Sequence, residues 1–487
     1  MSSSRIARDP PPDLIITGGT VVNATASARA DVAVRGGIIS AVGQRGTLGP
    51  ATVEVDATGK LVVPGGVDAH VHANDQVGDF RTRDSFFECS VAALSGGTTT
   101  LVDFAMPPMP GGSPWEAAQS RVTAAESSAI DFALHAGISS ANPDCLADVA
   151  RLIQAGITTF KIFTIYDDVA LPLADIEPVL EAIADVGGLA LIHAEAPGLI
   201  SDRQQRLAAR GLTSATWHAV SRPPRSELEM VQAVLLALGS TRCAAYFVHI
   251  STPEAVEAIS AARDRGARVW TETCPHYVFL NDDVYRSSYP ELYTCSPPIR
   301  GRSRRDLLWQ LLVAGEIQLW SSDHCAYSRA QKAARPEFWG IPQGLPGVET
   351  RCPLLFSEAV VRAGMPAEQF VALTATNPAR LNGLYPRKGR IAVGTDADIA
   401  IWDPHGPPAT VSARRLHTAA DHSPFEGFET VGELSMVIRN GLVVASAGRL
   451  DPPPPGSGRF VPAGRPQPPR VLHAAGIDRG SYMDRSI

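Results

Sequence analysis

The sequence predicts an α/β protein: a (β/α)8 TIM-like barrel carrying a small β-sandwich domain formed from both chain ends. Three observations lead there. Apolar strand-like runs alternate with helical stretches from residue 64 to 384, β-rich text flanks that region on both sides, and strongly polar side chains close the apolar runs. An open doubly wound sheet would give the same alternation. Polar residues gathered at strand C-terminal ends favour the barrel, whose active face is built from those ends.

The elements follow in order. Residues 1–63 hold "LIITGGTVVN", "ADVAVRGGIISAVG" and "TVEVDATGKLVV", β-branched runs broken by Gly pairs. Residues 64–384 supply barrel strands such as "TTTLVDFAM", "TTFKIFTIY", "LALIHAEA", "AAYFVHIST", "ARVWTETCP" and "IQLWSSDHC". Between them stand helical stretches such as "PLADIEPVLEAIADVGG" and "SELEMVQAVLLALGS". Residues 385–450 return to strand texture in "GRIAVGTDADIAIWDP" and "VGELSMVIRNGLVVASAGRL", and are assigned with 1–63 to the sandwich. The tail, 451–487, is rich in Pro, Gly and Arg and forms no core by itself. Disorder, or an arm laid over a neighbouring subunit, are the two readings it leaves open.

Composition narrows the function. With 487 residues, 45% hydrophobic and a formal charge of -7, the chain can bury a large core and has no basic run for a nucleic-acid groove. "MSSSRIARDPPPD" lacks the apolar centre of a signal peptide, and no window reads as a membrane span. A cytoplasmic protein with neither nucleic-acid nor membrane partner is expected. The seven cysteines are scattered without a C-x-x-C, so reduced thiols are expected.

The chemistry lies at the strand ends. In "VDAHVH", His70 and His72 are two apart on an extended strand and share a face. Lys161 interrupts "TTFKIFTIY", where a lone buried ammonium is costly. His193, His249 and Asp323 close three further apolar runs. Any one of the histidines alone reads as a hydrogen-bonded core residue. Together the six point to a metal centre of imidazole and carboxylate ligands, suited to zinc, iron, cobalt or manganese. Two such ions sharing a water would provide a hydroxide nucleophile near neutral pH.

"PGGVDAHVH", "GGTTTLVDF", "FKIF", "HAE", "VHIS", "ETCPHY", "CSPPIR", "SDHC" and "SPFEG" occur in this order along nearly the whole chain. In these motifs it resembles the amidohydrolase superfamily and, within it, the cyclic amidohydrolases: dihydropyrimidinases, hydantoinases and allantoinases. The resemblance implies that His70, His72 and Asp323 bind one metal and His193 and His249 a second. Lys161 would be carboxylated by CO2 to a carbamate bridging both. Asp323 would act as general base and then acid, Tyr166 would stabilise the oxyanion, and Ser296 would hold the cyclic amide through its backbone. His218, His276 and His324 are expected in structural hydrogen bonds, and Cys325 has no covalent role beside a metal hydroxide. A homo-oligomer, tetramer or dimer, is also implied.

The expected reaction is ring opening of dihydropyrimidines or hydantoins to N-carbamoyl amino acids. Allantoin and cyclic imides are the alternative substrates, because the chain departs from the hydantoinase pattern in two places. Gln343 stands in "GIPQG" where those enzymes have asparagine, and "ANDQVGDF" after the histidine pair is more polar than usual. Asn74 replaces the arginine with which dihydroorotases clamp a carboxylate. Non-catalytic relatives that serve as binding modules have lost metal ligands, whereas this chain keeps all six positions and Tyr166.

Overall fold

The structure is a computed structural model and describes residues 11–471; residues 1–10 and the tail from 472 onward lie outside them. Eight parallel strands form the central sheet in sequence order: β1 Gly66–Val71, β2 Thr98–Ala105, β3 Asp131–Gly137, β4 Thr159–Phe163, β5 Leu189–His193, β6 Ala244–Phe247, β7 Val269–Thr273 and β8 Leu319–Trp320. A bridge between Val71 and His324 brings the extension of β8 beside β1 and closes the ring. The barrel predicted from the alternation is therefore the observed fold.

Helices start where local chemistry satisfies their free N–H groups. Ser85 and Glu88 form a capping box on Phe86–Ser95; Ser113 caps Pro114–Ala124 and Asn142 caps Pro143–Gln154, each with Pro at the first turn. Each such cap contributes about 1 kcal/mol. Burial contributes more. On β5, Ala190 and Ile192 pack into the helix layer, while Leu189 and Leu191 join Phe104, Tyr246 and Leu319 inside the barrel. Full burial of one such side chain stabilises by about 1.5–3 kcal/mol. His193 holds the next inward position of the same alternation.

Both chain ends meet in one sheet. Leu61–Pro64 pairs antiparallel with Ile399–Asp403, inside a seven-stranded sheet that also holds Thr20–Asn23 and Glu433–Arg439. A four-stranded sheet from Leu14–Thr17, Asp31–Arg35, Ile38–Gly43 and Val53–Asp56 shares an apolar core with it through Ile16, Val34, Val62 and Ile399.

The described part of the tail follows neither expectation. Residues 456–470 run along the strand N-terminal ends of their own barrel: Gly458 N–H donates to Ser128, Val461 to Phe132, Ala463 to Gly156 and Gly464 to Gly383. The physical reason is that this backbone finds acceptors left free at the barrel floor. A residue without a core of its own is ordered by borrowing the barrel's edge. Gly458 admits no side chain, since a Cβ there would meet the Ile130 carbonyl at 1.9 Å.

Lys388 ties floor, sheet and tail together. Its buried ammonium lies 2.8, 2.8 and 2.5 Å from Asp131, Asp396 and Asp398, and Asp131 also accepts from Arg439 and the Arg459 N–H. These three carboxylates lie close enough to hold a metal ion, but the ammonium already supplies their cation. Lys388→Met is expected to destabilise by about 3–5 kcal/mol, because it leaves the buried carboxylates uncompensated. A denaturant midpoint equal to wild type would refute this.

Candidate active site

The barrel mouth collects the six sequence-predicted ligand positions. His70 and His72 leave β1 together, with ring centroids 5.3 Å apart, and both contact Phe104 of β2. Asp323 Oδ1 lies 3.2 Å from His70 Nε2 and 3.6 Å from His72 Nε2. One potential donor atom from each of the three falls within 4.8 Å of the others. His193 and His249 form a second pair, 4.5 Å between centroids, and His249 stands 5.3 Å from His70. Lys161, fully buried on β4, places its ammonium 5.0 Å above Phe104 and 4.6 Å above Phe163, whose ring is 5.3 Å from His193.

Several of these positions require strained backbone. His249 (φ 40), Asp323 (φ 48) and Tyr166 (φ 82) occupy the left-handed region, as does Asn74 (φ 51) beside the histidine pair. Each such residue costs on the order of 1–3 kcal/mol unless the surroundings impose it. On β6, Ala245 and Phe247 face the helix layer, so strand alternation alone would send residue 249 outward. The left-handed turn brings the His249 ring to the mouth instead.

Carboxylates orient the imidazoles. Glu272 takes His70 Nδ1 at 2.8 Å, Asp75 takes His72 Nδ1 at 3.2 Å, and Glu195 takes His193 Nε2 at 3.1 Å. In each histidine this leaves the other nitrogen with a free lone pair. Glu272 also accepts the backbone N–H of His249 at 3.1 Å, linking the two histidine pairs. Glu195 is itself held by Arg222 at 2.5 Å. Reading polar residues only at strand ends passed over Glu272, which lies inside β7. The usable signal was the one that revealed Lys161, a charge within an apolar run.

Burial sets the protonation states. It pushes the pKa of His70 and His249 well below the usual histidine range and that of His193 down to about 4, so all three are neutral. Burial also lowers Lys161, against the attraction of Glu272 and Asp323, and raises Asp323, against His72 and Lys161. Lys161 Nζ and His249 Nδ1 are buried with no hydrogen-bond partner. Neutral imidazoles, a carboxylate and an unpartnered amine form a donor set that fits divalent cations.

The rim holds the remaining predicted residues. Tyr166 stands 5.5 Å from His193, ring to ring, with its hydroxyl facing Arg222 and Ser296. Burial raises its pKa, with Arg222 opposing, so the phenol keeps its proton at neutral pH. Ser296 Oγ has no close partner. Gln343 turns its amide Nε2 onto its own loop, 2.7 Å from the Ile341 carbonyl, and leaves Oε1 buried and unpartnered. Tyr166, Ser296, Gln343, His72 and Asp323 are partly exposed, whereas His70, Lys161, His193 and His249 are buried. This gradient marks the direction of entry.

Neighbouring groups are structural. His218 Nε2 donates to the Cys295 carbonyl at 2.8 Å, and His324 joins Asp84 at 2.6 Å while its Nδ1 accepts from the Gly347 N–H. His276 departs from expectation: it packs 4.1 Å from the Tyr277 ring, and its Nε2 has no partner. Burial pushes the Cys325 thiol far up, which removes it as a nucleophile. Among the described residues, no helix is long and apolar enough to cross a membrane.

Comparison with known proteins agrees with this geometry. The amidohydrolase family model matches residues 61–444. The D-hydantoinase of Ralstonia pickettii is 35% identical over 446 residues, 90% of this chain and 96% of that protein. The D-phenylhydantoinase of Escherichia coli (strain SE11) is 35% identical over 453 residues, 92% of this chain and 97% of that one. The crystal structure of dihydropyrimidinase from Brevibacillus agri NCHU1002 superposes with a TM-score of 0.90 at 33% identity, covering 93% of this chain and 99% of that one.

Two outcomes test the donor set. Glu272→Gln is expected to weaken metal binding about 10- to 100-fold, since it disturbs the support of His70 and His249; chelator competition measures this, and unchanged affinity would refute it. Metal affinity should also fall as pH is lowered from neutral, by up to about tenfold per unit for each proton displaced. The sign follows from the ligands: His70, His193 and His249 are already neutral, whereas protonation of Asp323, whose pKa burial raises, competes with the metal. An affinity flat to pH 5 would remove that role.

Proposed function

Because the chain belongs to the amidohydrolase family, we propose that it opens cyclic amides of the dihydropyrimidine or hydantoin type by hydrolysing the ring C–N bond, giving N-carbamoyl amino acids. One observation carries the reading. Five potential metal-holding side chains, His70, His72, His193, His249 and Asp323, gather about an unpartnered, fully buried Lys161 amine, below a rim that offers a phenol donor and a free carboxamide acceptor.

In this reading His70, His72 and Asp323 hold one divalent ion, and His193 and His249 hold a second. Lys161 joins them as a carbamate: its neutral amine adds to CO2 and releases a proton, and burial favours the neutral amine this addition needs. Zinc is the first choice for these donors; manganese, cobalt and iron suit them as well. When bound, the ions supply an acidified water as nucleophile and polarise the amide carbonyl.

The chain's own groups do the rest. Asp323 takes the proton of the attacking water and delivers it to the departing ring nitrogen. Tyr166 donates its O–H to the carbonyl oxygen as negative charge grows there. The backbone at Ser296 binds the cyclic amide, and Gln343 Oε1 accepts from a ring N–H. Because the Gln343 donor is spent on the Ile341 carbonyl, the side chain presents an acceptor alone.

Three variants and a substrate panel test the proposal. Lys161→Ala should lose the second metal and at least about 1,000-fold in kcat, whereas Asp323→Asn should keep most metal and lose about 100- to 10,000-fold. Tyr166→Phe should lower kcat about 100-fold or more. Wild-type turnover by any of them would remove the role assigned to it. Initial rates on dihydrouracil, hydantoins, allantoin, dihydroorotate and cyclic imides decide the ring: preference for the first two supports the reading. Preference for allantoin or an imide overturns the substrate while leaving the chemistry.

A further inference from the structure

A second lysine is fully buried on the active face, away from the metal donors. Lys332 ends the short helix Arg329–Lys332, in a stretch, "SRAQKAARPEF", that reads as surface. Its Nζ donates to the Thr294 carbonyl (2.8 Å), the Thr294 hydroxyl (3.1 Å) and the Pro342 carbonyl (2.8 Å). Three acceptors match the three N–H bonds of an ammonium; a neutral amine has only two. All three are uncharged oxygens. Burial pushes its pKa down to about 7, and the amine is held by neutral oxygens alone at one position between two loops.

Those loops are the ones that carry Ser296 and Gln343. We propose that Lys332 is a positioning residue that sets the separation of the Ser296 and Gln343 loops, and with it the width of the substrate cleft. The inference rests on the substrate-binding role given above to those two residues. The two side-chain tethers from His218, on the Cys295 carbonyl, and the Tyr277 hydroxyl, on the Pro297 carbonyl, both at 2.8 Å, hold the Ser296 loop alone. Lys332 reaches across both.

The surroundings leave the second loop little freedom. Gly344 N–H donates to the same Thr294 carbonyl at 3.0 Å. At its φ of 145 a Cβ would meet Cys325 at 2.6 Å, so the loop lies directly against the residues that follow Asp323. The Lys332 helix is anchored in turn. Gln331 Nε2 donates to the Arg81 carbonyl at 2.8 Å, and Arg329 N–H to Asp421 at 2.7 Å. The lysine therefore sets the cleft from a fixed base, linked to the polar hairpin that follows the histidine pair.

The test is Lys332→Met, with metal content, KM and kcat measured on small and 5-substituted rings, and hydrogen exchange followed over 291–298 and 340–345. Loss of the amine strands the Pro342 carbonyl and leaves the Thr294 carbonyl to the Gly344 N–H alone, so KM should rise about tenfold or more while kcat moves less than about threefold. Metal content should stay at the wild-type level, ring-size preference should change, and both segments should lose protection while Pro253–Asp264 keeps it. Thr294→Val, which removes one acceptor, should give a smaller change in the same direction and serves if Lys332→Met does not fold. Unchanged KM with lowered thermal stability, or loss of metal, overturns the proposal. If the wild type opens no cyclic amide, the functional reading fails on its own. The exchange measurement still decides the clamp, and undisturbed protection in both segments would overturn it.

Discussion

A single amine without a hydrogen-bond partner, Lys161 buried at the barrel mouth, is the constraint around which the site is organised. Removing an ion from water costs several kcal/mol even after the protein relaxes. Burial meets that cost by shifting protonation rather than by pairing: it lowers Lys161, His70, His193 and His249 and raises Asp323 and Glu272. The ionisable groups are thereby moved toward neutrality while remaining grouped. Such a cluster is poised for cations, because the donor atoms are in place and the buried imidazoles of His70, His193 and His249 are already neutral.

Holding that cluster requires a scaffold that tolerates strain. The left-handed backbones of Tyr166, His249 and Asp323 sit where ordered strands give way to loops, above apolar layers of Leu191, Tyr246 and Leu319. Those layers supply the burial energy that offsets the strain. Rigid strands below and carboxylate partners on the His70, His72 and His193 rings then leave each of these three one free nitrogen, so their orientation is determined before any ion arrives.

Much of this was legible in the text of the chain. Period-two spacing placed His70 beside His72, and the interruption of apolar runs exposed Lys161, His193 and Asp323. The barrel followed from alternation together with the polar residues at strand C-terminal ends. Glu272 escaped because it lies within β7 rather than at its end, although it obeys the same rule as Lys161. Lys332 escaped for a different reason: its neighbours are polar and exposed, and its burial arises from loops distant in sequence at Thr294 and Pro342. The tail, too, could not be read locally, since its backbone partners lie at Ser128, Phe132, Gly156 and Gly383. Non-local hydrogen bonds leave no periodic trace.

The sheet that joins Leu61–Pro64 to Ile399–Asp403, and the strap of 456–470 across the barrel floor, have a consequence for biosynthesis. A ribosome emits the chain from its N-terminus, so the first strands emerge long before their partners exist. Leu61–Pro64 must wait through the synthesis of the entire barrel, with one edge open to pairing by other chains. The floor is sealed later still, by residues 456–470, which follow the whole barrel in the chain. Closure of sheet and floor thus waits until the barrel has been made, and the growing chain carries an incomplete edge until these segments meet.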